Sequence, residues 1–346
     1  MKKKVGLALA GGGVRGSYQI GAFYALKKCG IKFDAISGTS IGSFNAAMLA
    51  SHKERKLLKF WQNLDVARIL ELDPILKEKE LSLKKLGKVV KLTSEKLKNK
   101  GFNIQPIKDE LNILLNEKKL RRSNINFGLV TLKSDDLKTV KIFIKDMDPN
   151  SLTDYVAASC YLPVFKKEKL VDDSYYLDGG FIDNCPIQML EDIGCEKIYA
   201  IKLKAVGVFQ KPKYKTTDIT YIEPTKKLGS ILSIDPVIIN NNIKLGYLDT
   251  LKVMKKIDGV DYSFKFKNEN YYSKLIKRVD KDLLSKSIKH YKTTNPKKLV
   301  LRVLEYILRT EKKDIYQIYR PRAIIKYIKK RKEIDKFQYE FIRDLR

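Results

Sequence analysis

Histidine and cysteine are scarce in this chain, acidic residues are few, and no long apolar run occurs. The four cysteines, Cys29, Cys160, Cys185 and Cys195, are scattered and form no C-x-x-C pair. That spacing argues against a zinc site and against a disulfide framework, and it fits a reducing compartment. The longest stretch without charge, Ala35 to His52, has 18 residues. It includes Ser37, Thr39, Ser40, Ser43 and Asn45 and is too polar to span a membrane. The N-terminus, three lysines followed by Val5 to Ala10, imitates a secretory signal. Six apolar residues before a glycine cluster and Arg15 are short for its hydrophobic segment. The chain therefore reads as cytoplasmic. Its 40 acidic residues face 70 lysines and arginines, for a formal net charge of +30. Such a surplus favours anionic surfaces, membrane lipid or nucleic acid, although the abundance of lysine also reflects compositional bias.

What is present is patterned for a core. Apolar residues make up 44% of the 346, enough for two domains, or one large domain with an appendage. Val5 to Ala10 is a short apolar run ending at glycines, the signature of a buried parallel strand. Ser17 to Lys28 carries a helical pattern closed by Gly30, Ile31 to Ser37 reads as a second strand, and Ile41 to Ala50 as an alanine-rich helix. Asn126 to Leu132, Thr139 to Ile144 and Lys197 to Leu203 are strand-like. Strands alternating with helices predict an α/β fold around a largely parallel sheet. Between Lys84 and Lys100 seven lysines surround Leu86, Val90 and Leu97, which reads as a solvated helix on the core or as a lid or membrane-surface helix. Past Asp261 the pattern is helical and basic, with 25 basic against 11 acidic residues. Val300, Val303, Leu304, Ile307 and Leu308 form one stripe and Ile324, Ile325 and Ile328 begin another, as expected of helices packing onto the main domain.

Three motifs carry the chemistry. Gly11-Gly12-Gly13-Val14-Arg15-Gly16 lies between the first strand and its helix and satisfies G-x-G-x-x-G through Gly11, Gly13 and Gly16. With Asp34 about 20 residues on, it suits a dinucleotide. Gly38-Thr39-Ser40-Ile41-Gly42 is G-x-S-x-G on a strand-to-helix turn, the setting of a nucleophile elbow. Glycines at 38 and 42 keep Cβ atoms out of a crowded turn. A serine nucleophile needs a base, usually histidine. Only His52 and His290 exist. His52 follows Ser40 by 12 residues along the same helix, roughly 18 Å by helical rise, and His290 sits among lysines. The base must be something else. Asp178-Gly179-Gly180, after the short strand Tyr175 to Leu177, is the candidate, although Asp-Gly-Gly alone is an ordinary tight turn.

These motifs, in this order, resemble the patatin-like phospholipase family. Val156-Ala157-Ala158-Ser159 with Leu162-Pro163-Val164-Phe165, and Ile182-Asp183-Asn184-Cys185-Pro186-Ile187, look like the family's segments flanking its aspartate. The resemblance covers roughly residues 5 to 258. It implies a Ser40–Asp178 dyad without histidine, with Ser40 as nucleophile and Asp178 as proton acceptor. It also implies that Gly11, Gly12, Gly13, Arg15 and Gly16 form an oxyanion hole instead of a phosphate cradle. Free N–H groups near a helix start bind any anion, and Arg15 either adds charge or braces the loop.

The expected architecture is thus a three-layer α/β/α patatin-like domain over residues 5–258, with a basic helical extension over 259–346. The expected activity is hydrolysis of an acyl ester in a phospholipid or related lipid at a peripheral, anionic membrane surface, with no metal, organic cofactor or nucleic acid. An aspartate base implies activity at mildly acidic pH. The alternative is a nucleotide-binding protein that uses the glycine-rich loop for phosphate.

Overall fold

A computed structural model of the chain describes residues 3–65, 80–81, 101–233, 235–330 and 337–345. The lysine-rich stretch from Lys84 to Lys100 lies outside the described residues. The chain divides into two compact units, Met1–Tyr247 and Leu248–Arg346.

The first unit is built on a seven-stranded sheet. Its strands are β1 (Val5–Leu9), β2 (Ala35–Thr39), β3 (Asn126–Lys133), β4 (Lys138–Phe143), β5 (Tyr176–Asp178), β6 (Lys197–Ile201) and β7 (Asp218–Ile222). The order is β4-β3-β2-β1-β6-β7, with β5 also paired to β3. Neighbours from β3 to β7 are parallel, whereas β4 and β5 run antiparallel to β3. β1 and β2 are buried almost end to end, as parallel strands covered on both faces must be. β2 begins at Ala35 instead of Ile31. Asp34 just before it exchanges backbone hydrogen bonds with Val5 and Asn126, closing the edge where the strands begin.

The helices of this unit include α1 (Ser17–Lys28), α2 (Ile41–Ala50), α3 (Glu54–Gln62), α4 (Leu152–Ser159) and α5 (Ile187–Asp192). Strand alternation shows that they cover both faces of the sheet. Gly6 and Gly128, in register with Ala35 and Ser37 of β2, face Leu190 and Met189 of α5. Gly38, one residue on and therefore on the opposite face, abuts Gly42 and Ser43 of α2. The layers are α, β and α.

The second unit has its own core. Helices α6 (Glu269–Ile276), α7 (Lys281–Tyr291), α8 (Pro296–Thr310), α9 (Pro321–Lys329) and α10 (Phe337–Asp344) accompany a three-stranded sheet of Ile257–Asp258, Ser263–Lys265 and Ile318–Tyr319. The stripes of α8 and α9 meet Phe264, Tyr272, Tyr339 and Phe341 in one buried cluster drawn wholly from residues 262–345. The expectation that they serve the main domain is corrected. An amphipathic face needs only some apolar partner, and here the other helices of the same unit supply it.

Candidate active site

Parallel neighbours β1 and β2 release their chains from the same edge of the sheet. β1 ends in the glycine-rich loop and β2 in Ser40. The third motif reaches this edge through β3. Thr39 pairs with Val130, and the next residue of β3, Thr131, pairs with Asp178 at the end of β5. Extending β3 past the end of β2 therefore sets Asp178 beside Ser40.

Ser40 caps α2 with φ 54° and ψ −132°, a left-handed φ that a residue with a Cβ adopts only when its surroundings force it. The turn is too tight for side chains on either side. A Cβ on Gly38 would lie 2.1 Å from the Gly42 carbonyl oxygen, and one on Gly42 would lie 2.3 Å from that of Leu9. The half-buried Ser40 Oγ donates to Asp178 Oδ2 at 2.6 Å. The other carboxylate oxygen, Oδ1, accepts the Gly180 N–H at 2.7 Å. Asp178 is only 5% exposed. Burial raises its pKa to about 6, against the lowering effect of the bonds from Ser40 and Gly180. Near neutral pH it is thus an ionised acceptor with more basicity than an exposed aspartate. Burial pushes the ionisation of the Cys160 thiol upward, so it stays neutral. A serine hydroxyl held by a buried carboxylate at a helix N-terminus can transfer its proton and attack an electrophile.

The glycine-rich loop divides its duties. The Gly11 N–H is engaged by Asn184, at 3.0 Å from the backbone oxygen and 3.1 Å from Oδ1. The expectation that Gly11 offers its N–H to an anion is therefore corrected: the group is buried and already bonded. Gly12 and Gly13 are partly exposed, and among the described residues no acceptor meets their N–H groups. Gly13 has φ 56°, where a Cβ would strike the Ile231 carbonyl oxygen at 2.1 Å. Gly16 is buried against Ile41 and Trp61 and lets the starts of α1 and α2 approach. Of the two readings of Arg15, bracing is the one observed. Nε donates to the Gly229 carbonyl and Nη1 to the Lys204 carbonyl, both at 2.8 Å. Gly179 packs on β3, where a Cβ would lie 2.2 Å from the Val130 carbonyl oxygen.

Residues that the motifs did not reveal hold these parts together. Ser159, ending α4, accepts the Ser40 N–H at 2.9 Å and donates to the Val130 carbonyl at 2.7 Å. Asn45, buried in α2, donates to the Gly16 carbonyl at 3.0 Å and to Gln19 Oε1 at 2.7 Å, and accepts from Trp61 Nε1 at 3.0 Å. Gln19 donates in turn to the Ala10 carbonyl at 2.7 Å. This satisfied network fixes the glycine-rich loop against the helix that carries Ser40. The available signal was a polar side chain inside an apolar helix, as in Phe44-Asn45-Ala46.

The dinucleotide features are not brought together. Asp34 precedes β2, at the edge where the strands begin, and its carboxylate accepts the Val5 N–H at 2.8 Å. A ribose ligand would have to stand at the opposite edge, beyond the glycine-rich loop. His52 follows the far end of α2 and contacts Asn124 Oδ1 at 3.1 Å. His290 packs against the rings of Tyr291 and Phe337 in the second unit.

The family profile described as patatin-like phospholipase matches residues 7–191. The lysophospholipase nte1 of Aspergillus terreus is 54% identical over 48 residues, 14% of this chain and 3% of that protein. Patatin-like phospholipase domain-containing protein 7 of Rattus norvegicus is 26% identical over 205 residues, 57% of this chain and 13% of that protein. The chain thus spans a small fraction of these curated relatives. VipD from Legionella pneumophila superposes with a TM-score of 0.47 at 15% identity, covering 95% of this chain and 80% of that one.

Proposed function

The chain belongs to the patatin-like phospholipase family, and from that premise we propose that it hydrolyses carboxylic esters of phospholipids or related lipids through a Ser40–Asp178 dyad. The observation that carries the reading is the 2.6 Å hydrogen bond between Ser40 Oγ and a buried Asp178 carboxylate, made from a strained elbow. Asp178 takes the hydroxyl proton as Oγ attacks the ester carbonyl. The N–H groups of Gly12 and Gly13 stabilise the resulting oxyanion, with the α2 N-terminus adding its positive field. Collapse expels the alcohol, which receives the proton held by Asp178. A water molecule, deprotonated by the same carboxylate, then attacks the acyl-enzyme; as the bond to Ser40 Oγ breaks, Asp178 returns the proton to Oγ and the fatty acid leaves.

The substrate class follows from the family and from the cationic surface, and the two curated relatives described above both carry phospholipase names. The test is incubation with a mixed lipid extract and identification of products by mass spectrometry. Wild type should release free fatty acid and the matching deacylated lipid. Folded Ser40→Ala should release neither, because losing the nucleophile costs several orders of magnitude in rate. Equal release by the two proteins would sink the assignment.

A further inference from the structure

We propose that the strap joining β6 to β7, residues 202–217, is a preformed docking surface for an anionic lipid bilayer at the mouth of the site. The inference rests on the lipid-hydrolase reading above and names the surface through which it would meet its substrate. β6 is a parallel neighbour of β1, so the strap leaves the sheet at the same edge as the glycine-rich loop and Ser40. It is exposed along most of its length, yet its backbone is tied to the site. The Lys204 carbonyl accepts from Arg15, the Val208 N–H donates to the Gly180 carbonyl at 2.9 Å, and the Asn184 N–H donates to the Val208 carbonyl at 2.6 Å. Farther along, the buried Glu191 carboxylate accepts the N–H groups of Lys213 and Tyr214 and the Thr217 hydroxyl.

A segment pinned this firmly could have turned its apolar side chains inward, and it does not. Val206 is fully exposed and Val208 is 47% exposed. Phe209 and the neighbouring Phe181, which directly follows the Asp-Gly-Gly turn, are also in solvent. Apolar side chains held out from an ordered backbone mark a surface with a partner. Charge identifies the partner. From 202 to 217 there are five lysines and no acidic residue. Lys204, Lys211 and Lys215 enter no ion pair among the described residues, whereas Lys213 is paired with Asp192 at 2.6 Å. Valines and a phenylalanine interleaved with unpaired lysines suit shallow insertion beneath anionic headgroups.

The test places a reporter at Val206 in the Ser40→Ala protein, so that no lipid is consumed. The native Trp61 is buried and contributes a constant background to the emission of Val206→Trp. Vesicles of phosphatidylcholine with phosphatidylglycerol should shift that emission to the blue and shield it from iodide. Pure phosphatidylcholine should do so far less. Adding Lys204→Gln, Lys211→Gln and Lys215→Gln should weaken the partition by about fivefold per lysine. Emission that is unchanged and equally quenchable on anionic vesicles overturns the proposal. A blue shift that grows with protein concentration without lipid also overturns it, in favour of a second copy of the chain. A soluble short-chain ester assay on wild type separates the two readings. Hydrolysis without insertion overturns docking alone, and insertion without hydrolysis of any ester upholds docking while removing the hydrolase reading.

Discussion

At the scale of single residues, Asp178 shows how burial sets reactivity. An aspartate base with its ordinary pKa would work at mildly acidic pH. Burial raises Asp178 to about 6 instead, so the acid limb of kcat/KM should fall near pH 6, about tenfold per pH unit below it. A limb near pH 4 would show that burial does not raise the Asp178 carboxylate in this way. The same burial affects stability. The folded protein holds this proton more tightly than the unfolded chain does, so its contribution is intact below about pH 4 and lost as pH rises through about 6. Asp178→Asn should abolish turnover, because an amide cannot take the proton. It should also raise Tm at pH 8, by the equivalent of on the order of 2–3 kcal/mol, with the gain vanishing near pH 4. Thermal melts at the two pH values check this, and a lower Tm at pH 8 would contradict it.

At the scale of elements, the site depends on α1 and α2 being joined through Asn45. Asn45→Leu keeps the branched outline of the side chain but leaves the Gly16 carbonyl, the Gln19 amide oxygen and the Trp61 N–H without their partner. A loss of roughly 3 kcal/mol in denaturant unfolding is expected, with a fall in kcat as the glycine-rich loop loosens. Unchanged stability would show that the network is dispensable. This network also marks the limit of what sequence reading could reach. The three motifs, β1, α1 and α2 were legible because a tight turn demands glycine and a buried parallel strand demands a continuous apolar run. The bonds made by Asn45, Ser159 and Asn184 were not, since a polar residue inside an apolar helix or a family-like segment does not say which distant group it meets. β7, Asp-Ile-Thr-Tyr-Ile, escaped because an edge strand is half exposed and lacks the continuous run. The tail stripes were read correctly as helix faces, but a stripe does not say which apolar surface covers it.

At the scale of the whole molecule, the net charge of +30 should make membrane association depend on salt. Co-sedimentation with anionic vesicles is expected to weaken steadily as salt rises from low to physiological strength and beyond, because exposed lysines act only within a Debye length. Binding that is the same on neutral and anionic vesicles, and indifferent to salt, would contradict this. The central claim, that this basic α/β protein is a hydrolase working through Ser40 and Asp178, is tested most directly by intact-protein mass spectrometry after a fluorophosphonate. The wild type should gain one adduct, mapped to Ser40, at a rate that drops sharply in Asp178→Asn. Wild type that stays unlabelled, or a folded Ser40→Ala protein labelled as fast as wild type, would contradict it.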